Sequence, residues 1–138
     1  MFAKYDSSKS VHVSEPYKRT ITPVYMTDNI PRDIEFSIHV TEWEPGCCIE
    51  RHSHSDGTEA MYCMSGKGVC FLNGEEHEFV PDSVMVAHAG DTHEIRNTGT
   101  EKLRVLCVFS PPVSSESFKA RAAVAAKALE EMKKAGKA

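Results

Sequence analysis

Three histidines and one glutamate form the chemically most informative pattern in this chain. His52 and His54 are separated by one residue, so on a β-strand both side chains would point to the same face. Glu59 follows shortly afterwards, and His93 lies much further along the chain. Three imidazole nitrogens and one carboxylate oxygen suit one divalent transition metal ion, namely Fe, Mn, Ni, Co or Zn. The pattern predicts a metal site if the fold brings the four residues together.

Short strands must position these residues. From residue 11 to residue 110, apolar and polar side chains mostly alternate, which is typical of half-buried antiparallel strands. Turn signals separate the strands, and the strongest is Asn73-Gly74, because both residues tolerate the positive φ of a tight hairpin. Many short strands with regular turns predict an all-β sandwich or closed barrel. The clearest alternation is the apolar set Ile34, Phe36, Ile38 and Val40, with His39 on the opposite face.

The chain changes character after Pro111-Pro112, where the missing backbone donors end the last strand. Alanine, lysine and glutamate then dominate, so we predict a C-terminal α-helix over 114–136, capped by Ser114 or Ser115. We expect it to pack against the outside of the barrel or against a partner subunit. The polar residues 1–10 are predicted to form a flexible arm. The apolar helix face comprises Phe118, Ala122, Ala125, Leu129 and Met132.

Composition limits the function classes. The 138 residues, 41% of them hydrophobic and 26% charged, indicate a single globular domain over residues 1–138. A net charge of −4 offers no basic surface for nucleic acid. No apolar run is long enough to span a membrane, and the polar N-terminus is unlike a secretory signal. Five cysteines without zinc-ribbon spacing favour free thiols and a cytoplasmic location.

The spacing of these residues resembles the cupin superfamily, specifically its small single-domain members. Gly46, the His52-x-His54 pair, Glu59 and Gly66 match the first cupin motif in full.

Residues 82–97 resemble the second motif, in which Gly90, His93 and Asn97 match. Asp82 stands where the family usually has glycine, and Asp tolerates turn conformations. His88 stands where the family usually has proline. It is interpreted either as a turn residue or as an acid, base or polar group at the mouth of a pocket.

The resemblance implies a double-stranded β-helix, which is a jelly-roll barrel, and a homodimer. It also implies that His52, His54, Glu59 and His93 ligate one metal inside the barrel. Four protein ligands would leave one or two coordination positions open, as a catalytic metal requires. We therefore expect a mononuclear metalloenzyme acting on a small organic molecule, with dioxygenase- or isomerase-type chemistry slightly favoured. The alternative is a non-catalytic module that binds a small molecule or a metal.

The strand alternation also predicts which residues line the pocket. The predicted lining is apolar and rich in sulfur, with no inward arginine or lysine, so we expect a small, weakly polar substrate. The pattern assigns no catalytic residue, and some of these side chains are equally compatible with a core behind the metal. The predicted inward residues are Phe36, Ile38, Val40, Met61, Cys63, Val105, Cys107 and Phe109, with His88 at the mouth.

Overall fold

The structure is a computed structural model that describes residues 1–29 and 33–136. Its elements are short strands followed by one long helix, which confirms the predicted all-β fold with a C-terminal α-helix. The elements are β1 (Val11–Val13), β2 (Arg19–Tyr25), β3 (Ser37–Trp43), β4 (Thr58–Ser65), β5 (Gly68–Leu72), β6 (Glu75–Phe79), β7 (Val84–Ala87), β8 (His93–Asn97), β9 (Leu103–Ser110) and α1 (Glu116–Lys134), with 3-10 turns at Ser7–Lys9 and Thr27–Asn29.

Two antiparallel sheets form the jelly roll. The larger sheet has six strands in the order β1-β2-β3-β9-β4-β7, and the smaller has three in the order β6-β5-β8. Isolated bridges pair Cys48 with Arg96 and His52 with His93, so the segment before β4 runs antiparallel to β8. Strands β4 and β9, like β5 and β8, are neighbours in a sheet but are not consecutive in sequence, so the chain crosses repeatedly between the two sheets. Strand β1 pairs with β2, and β2 pairs with β3 of the same chain, a point that the sequence left open.

The main hydrophobic core lies between the two sheets. It contains side chains from β3, β4, β7 and β9 on the larger sheet and from β5, β6 and β8 on the smaller one. Because both sheets contribute, this cluster holds the barrel closed around its interior. Its fully buried members include Trp43, Cys63, Phe79, Ile95, Leu103 and Val105.

A second, smaller core joins the helix to the first two strands. Phe118 and Ala125 of α1 are buried against Val13 of β1 and Ile21 of β2. The ring centroid of Phe118 also lies 4.9 Å from that of His39 on β3. The helix therefore packs on its own barrel, and its first turns lie beside the residues that line the barrel interior.

Two turn predictions are confirmed by the backbone. Asn73 and Gly74 have φ values of 50° and 85°, as a tight hairpin between β5 and β6 requires. Asp82 has φ of 71°, so it adopts the left-handed conformation that glycine would take at this motif position. At Gly66 a Cβ atom would lie 2.6 Å from the Lys102 carbonyl oxygen, so only glycine fits the end of β4.

The first ten residues make defined contacts with the barrel. The Tyr5 hydroxyl donates a hydrogen bond to Glu42 at 2.8 Å, and the Arg104 guanidinium lies 4.9 Å from the Tyr5 ring centroid. The predicted flexibility of this arm stays a prediction. Within the described residues, no helix is both long and apolar enough to cross a membrane.

Candidate metal centre

The backbone places the four predicted ligands on three neighbouring segments. His52 and His93 face each other across an antiparallel bridge, with reciprocal N–H to carbonyl hydrogen bonds of 2.8 and 3.1 Å. His54 follows His52, and its carbonyl accepts a hydrogen bond from the Gly90 amide at 2.7 Å. Glu59 is the second residue of β4, which pairs with β7 and β9. Backbone pairing therefore fixes all four residues in one region of the barrel.

The side chains converge, as the resemblance implied. One ring nitrogen from each of His52, His54 and His93 lies within 4.8 Å of the others. The Oε1 atom of Glu59 lies 3.5 Å from Nε2 of His54 and 3.6 Å from Nε2 of His93. These separations exceed those of good hydrogen bonds. The arrangement is therefore open enough to take a cation between the four groups.

Hydrogen bonds orient two of the imidazole rings. Nδ1 of His52 lies 2.7 Å from the Glu50 carbonyl, and Nδ1 of His93 lies 3.1 Å from the Asp91 carbonyl. A carbonyl only accepts, so each Nδ1 carries the proton and each Nε2 keeps a lone pair. Nε2 of both His54 and His93 is buried without a hydrogen-bond partner. Buried polar atoms are normally satisfied, so these orphaned nitrogens fit a bound metal ion.

The electrostatics leave His52 and Glu59 in the deprotonated states that metal ligands need, whereas His93 holds its proton more tightly. Burial lowers the pKa of His52 to about 4, so its ring is neutral at neutral pH. Burial acts to raise the pKa of Glu59, but the His54 and His93 rings outweigh it and hold that pKa at about 2. Burial acts to lower the pKa of His93, and the Glu59 carboxylate reverses that effect and raises it. Metal binding needs deprotonated ligands, and it would compete with one proton at His93.

A cavity of about 260 Å³ adjoins this site. His52, His54 and Glu59 line it, and the fully buried His93 completes what we call the histidine group, His52, His54, Glu59 and His93. Of the predicted lining residues, Met61, Cys107 and Phe109 are present. The lining also includes side chains that the sequence did not indicate, namely Arg19, Ile21, His39, Thr41, Trp43, Ile49, Phe118 and Arg121.

The predicted orientation of β3 was wrong. Phe36 is 42% exposed and Ile38 is half-buried, and neither lines the cavity. Instead His39, which was expected to face away, is buried and lines it together with Thr41. Alternation predicts the apolar residues inside, but here the inner face carries polar groups around a cavity. The more apolar face, with Ile38 and Val40, lies outside, so alternation alone gives the wrong direction. Val40 lies on that outer face and is also outside the lining.

Three further predicted lining residues lie elsewhere. Cys63 and Val105 are fully buried in the main core, outside the cavity. His88 is exposed, and its amide donates to Asp91 Oδ2 at 2.9 Å. The Asp91 amide donates back to the His88 carbonyl at 3.0 Å. The structure thus places His88 in a turn and away from the cavity, which favours the first of its two interpretations.

Two arginines that sequence reasoning missed line the cavity. Arg19 is only 3% exposed, at the start of β2, and Arg121 lies on α1 and pairs with Glu50 at 2.6 Å. The expectation of a lining without arginine or lysine was therefore wrong, because β2 and α1 were not expected to reach the cavity. The helical pattern offered one signal for Arg121, which lies one turn after Phe118 on the same side of α1.

The cavity also holds a second group of metal-ligand types. His39, Glu59 and Cys107 place one donor atom each within 4.8 Å of the others, and all three are buried. Burial lowers the pKa of His39 to about 4 and raises that of the Cys107 thiol well above its usual range. Cys107 is therefore a protonated thiol. Because this group shares Glu59 with the histidine group, we treat it as the neighbouring wall of one site.

Several known proteins are similar to this chain in sequence. The family model described as Cupin domain matches residues 39–109. The L-ectoine synthase of Alkalilimnicola ehrlichii is 38% identical over 81 residues, which are 57% of this chain and 60% of that protein. The L-ectoine synthase of Bordetella parapertussis is 32% identical over 111 residues, which are 78% of this chain and 83% of that protein. The match thus spans about six tenths of the first relative and about eight tenths of the second.

Solved structures share the architecture. Ectoine synthase from P. lautus matches with a TM-score of 0.69 at 20% identity, over 86% of this chain and 84% of that chain. KdgF from Halomonas sp. matches with a TM-score of 0.67 at 22% identity, over 80% of this chain and 94% of that chain. At such identities the likeness establishes the fold, and the chemistry must be argued from the site.

Proposed function

Because this chain belongs to the cupin family, we propose that it is a mononuclear metal-dependent enzyme that acts on a small organic substrate inside the barrel. One observation carries the proposal. Three imidazoles and one carboxylate converge beside a cavity of about 260 Å³, and two of the imidazole nitrogens are buried without hydrogen-bond partners. A purely structural histidine cluster would not leave these nitrogens unsatisfied next to open space.

The histidine group would hold the metal, and the rest of the cavity would hold the substrate. When bound, a divalent metal supplies a Lewis acid that can polarise a substrate carbonyl. The Glu50 and Asp91 carbonyls keep the His52 and His93 rings turned with Nε2 available. Apolar lining residues such as Ile49, Met61 and Phe109 exclude water from the reacting groups.

Among the reaction classes expected from the sequence, the relatives favour isomerase-type, non-oxidative chemistry. Both matched proteins are named L-ectoine synthase, and that name describes a synthase rather than an oxygenase. The cavity agrees with this choice, since it carries arginines and other polar groups that can hold and orient a polar molecule. The dioxygenase alternative has no comparable support.

The test is a turnover screen of the protein loaded separately with Fe(II), Mn(II), Ni(II), Co(II) or Zn(II). L-ectoine formation from the substrate of the synthases is followed by NMR, and oxygen uptake is recorded in parallel. We expect at least one metal form to turn over without oxygen uptake, and the His54→Ala variant to be inactive with every metal. Metal-dependent oxygen consumption would favour a dioxygenase. Tight binding of small molecules without turnover on any metal would favour the non-catalytic module.

The homodimer stays a proposal, and the outer face of the six-stranded sheet supports it. Tyr62 and Val84 are paired across β4 and β7 and are 37% and 56% exposed. Val86, which is also exposed and lies two residues after Val84 on β7, extends this apolar surface. Sedimentation should show a wild-type dimer and a monomeric Val84→Lys variant. Val124→Lys, at an exposed apolar position on α1, should stay dimeric. A monomeric wild type would contradict the proposal.

A cytoplasmic location is also proposed rather than shown. All five cysteines are free, and Cys63, Cys70 and Cys107 are buried in the reduced form. Proteins of oxidising compartments commonly pair their cysteines, whereas cytosolic proteins keep them reduced. Thiol titration of protein taken directly from its own cells should give five reduced cysteines after unfolding.

A further inference from the structure

A buried arginine without an acidic partner lines the cavity. Arg19 is 3% exposed, and its Nη1 donates to the Tyr17 carbonyl at 3.3 Å. Its guanidinium lies 5.9 Å from the centre of the Trp43 ring. Within the described residues, no carboxylate lies within 4.0 Å of it. A buried cation without a counter-charge is costly, so its presence on a cavity wall calls for an anion.

The nearby acid cannot fill this role, because it is already paired. Glu50 contributes to the field at Arg19, but its Oε1 accepts from Arg121 at 2.6 Å. The pair formed by Arg121 and Glu50 is neutral as a whole, so Glu50 is not free to pair with Arg19. The other carboxylates that line the cavity, Glu59 and Asp56, form no ion pair with Arg19 among the described residues, and Glu59 lies against His54 and His93 instead. Burial lowers the pKa of Arg19 only to about 10, so the guanidinium stays charged at neutral pH.

A second unused donor lines the same cavity. Trp43 Nε1 is buried and makes no hydrogen bond, and an indole N–H can only donate. Nδ1 of His39 is likewise buried on the cavity wall without a partner. The guanidinium has one backbone carbonyl as acceptor and no carboxylate partner, and the indole N–H has no acceptor at all. Together they match a ligand that carries several acceptor atoms and one negative charge. A carboxylate has that chemistry, whereas a phosphate dianion would require more positive charge.

We propose that Arg19, assisted by the Trp43 indole N–H, binds the carboxylate of a small organic acid that occupies the cavity. The view of this acid as the substrate rests on the proposed function. The carboxylate site itself does not, because Arg19, Trp43 and the cavity wall need no metal. Arg19 is thus a specificity-determining residue, and the substrate class is a small carboxylic acid rather than a weakly polar molecule.

A matched pair of probes tests the site. N-acetylglycine and N-acetylglycinamide share one skeleton, and only the former carries a carboxylate. Their dissociation constants are measured by ligand-observed NMR on the metal-free protein and on the Zn(II)-loaded protein, with inorganic phosphate as a third probe. We expect wild type to prefer the acid by at least about tenfold in both forms, as a charge-assisted hydrogen bond would give.

Three variants assign the preference to Arg19. Arg19→Met should abolish it, and Arg19→Lys should keep part of it. Arg51→Met removes an arginine that is about half exposed and outside the cavity, and it should leave the preference unchanged. Because Arg19→Met replaces a buried unpaired charge with an apolar side chain, its Tm should equal or exceed that of wild type. A folded variant with lost binding would therefore show the role directly.

Several results would overturn the proposal. These are equal binding of the acid and the amide by wild type, no binding of the acid at millimolar concentration, a preference that survives in Arg19→Met, or tighter binding of phosphate than of the acid. If the acid is preferred but no metal form turns over, the proposed function fails while this site stands. If a metal form turns over but the protein shows no preference for the acid, the proposed function stands and this carboxylate site fails.

Discussion

Two groups of polar residues line the same cavity, and they are built in different ways. The histidine group lies on segments joined by backbone bridges, and its rings are oriented by the Glu50 and Asp91 carbonyls. The second, which we call the arginine group, comprises Arg19 on β2, Trp43 on β3 and Arg121 on α1. Its members come from three elements far apart in sequence. The first group is held by direct backbone pairing between its own segments. The second group depends on how β2 and α1, near the two ends of the chain, pack on the barrel.

The two groups also differ in what they lack. The histidine group combines an ionised carboxylate with imidazole nitrogens that accept no hydrogen bond, so it lacks a cation. The arginine group combines a buried guanidinium with an indole N–H that has no acceptor, so it lacks an anion. The cavity therefore has one place for a cation and another for an anion, which suits a metal ion and an organic acid bound side by side.

The largest expected effect breaks the histidine group. His54→Ala removes one ligand, and we expect it to abolish stoichiometric metal, measured by elemental analysis of the purified protein. His77→Ala is the control, since that histidine is about half exposed on β6 and outside the cavity. Equal metal content in wild type and His54→Ala would refute the ligand assignment.

The next prediction asks whether the histidine group depends on the packing of α1, the helix that carries Arg121 of the arginine group. Phe118→Ala removes a buried ring from the helix core, so the free energy of unfolding should fall by about 3–5 kcal/mol. Because the histidine group lies on other elements, the metal content of the folded variant should not change. Val124→Ala, at an exposed position on the same helix, should cost less than about 0.5 kcal/mol in urea unfolding. Loss of metal in Phe118→Ala would show that the helix also supports the histidine group.

Removing the metal should have a somewhat smaller effect. A ligand at 100 times its Kd stabilises the folded state by about 2.7 kcal/mol, so a chelator should lower the Tm of loaded protein accordingly. The same chelator should leave the Tm of His54→Ala unchanged, because that variant has no metal to lose. A chelator effect of equal size in both proteins would place the metal elsewhere.

The smallest effect concerns the ion pair beside the arginine group. Arg121→Gln breaks the partly exposed pair with Glu50, and we expect a loss of about 1 kcal/mol or less in stability. Lys119→Gln breaks a more exposed pair with Glu116 and should have no measurable effect. If Arg121→Gln abolished folding, the pair would be a structural requirement rather than a neighbour of the site.

Much of the fold could be predicted because its signals are local. Asn73-Gly74 marked a hairpin, and the positive φ at Asp82 follows from the turn chemistry of that residue. Strand alternation places His52 and His54 on one face, and a short turn brings Glu59 close to them. That His93 joins them is what the resemblance to the two cupin motifs implied, because His93 lies far along the chain. The face of β3 could not be predicted, because its inner face carries the polar residues His39 and Thr41 around a cavity while its more apolar face lies outside. Only closure of the barrel decides which face is inside.

The sequence by itself determined the short strands and the C-terminal helix, because these depend on local propensity. The resemblance of its two motifs to those of cupins implied the jelly roll and the convergence of His52, His54, Glu59 and His93. The tertiary structure alone decided that His39 faces inward, that His88 does not, and that Arg19 and Arg121 reach the cavity. Those outcomes depend on packing between elements distant in sequence. The metal ligands are therefore readable from a motif, whereas the residues that select the substrate come from elements that the motif does not include.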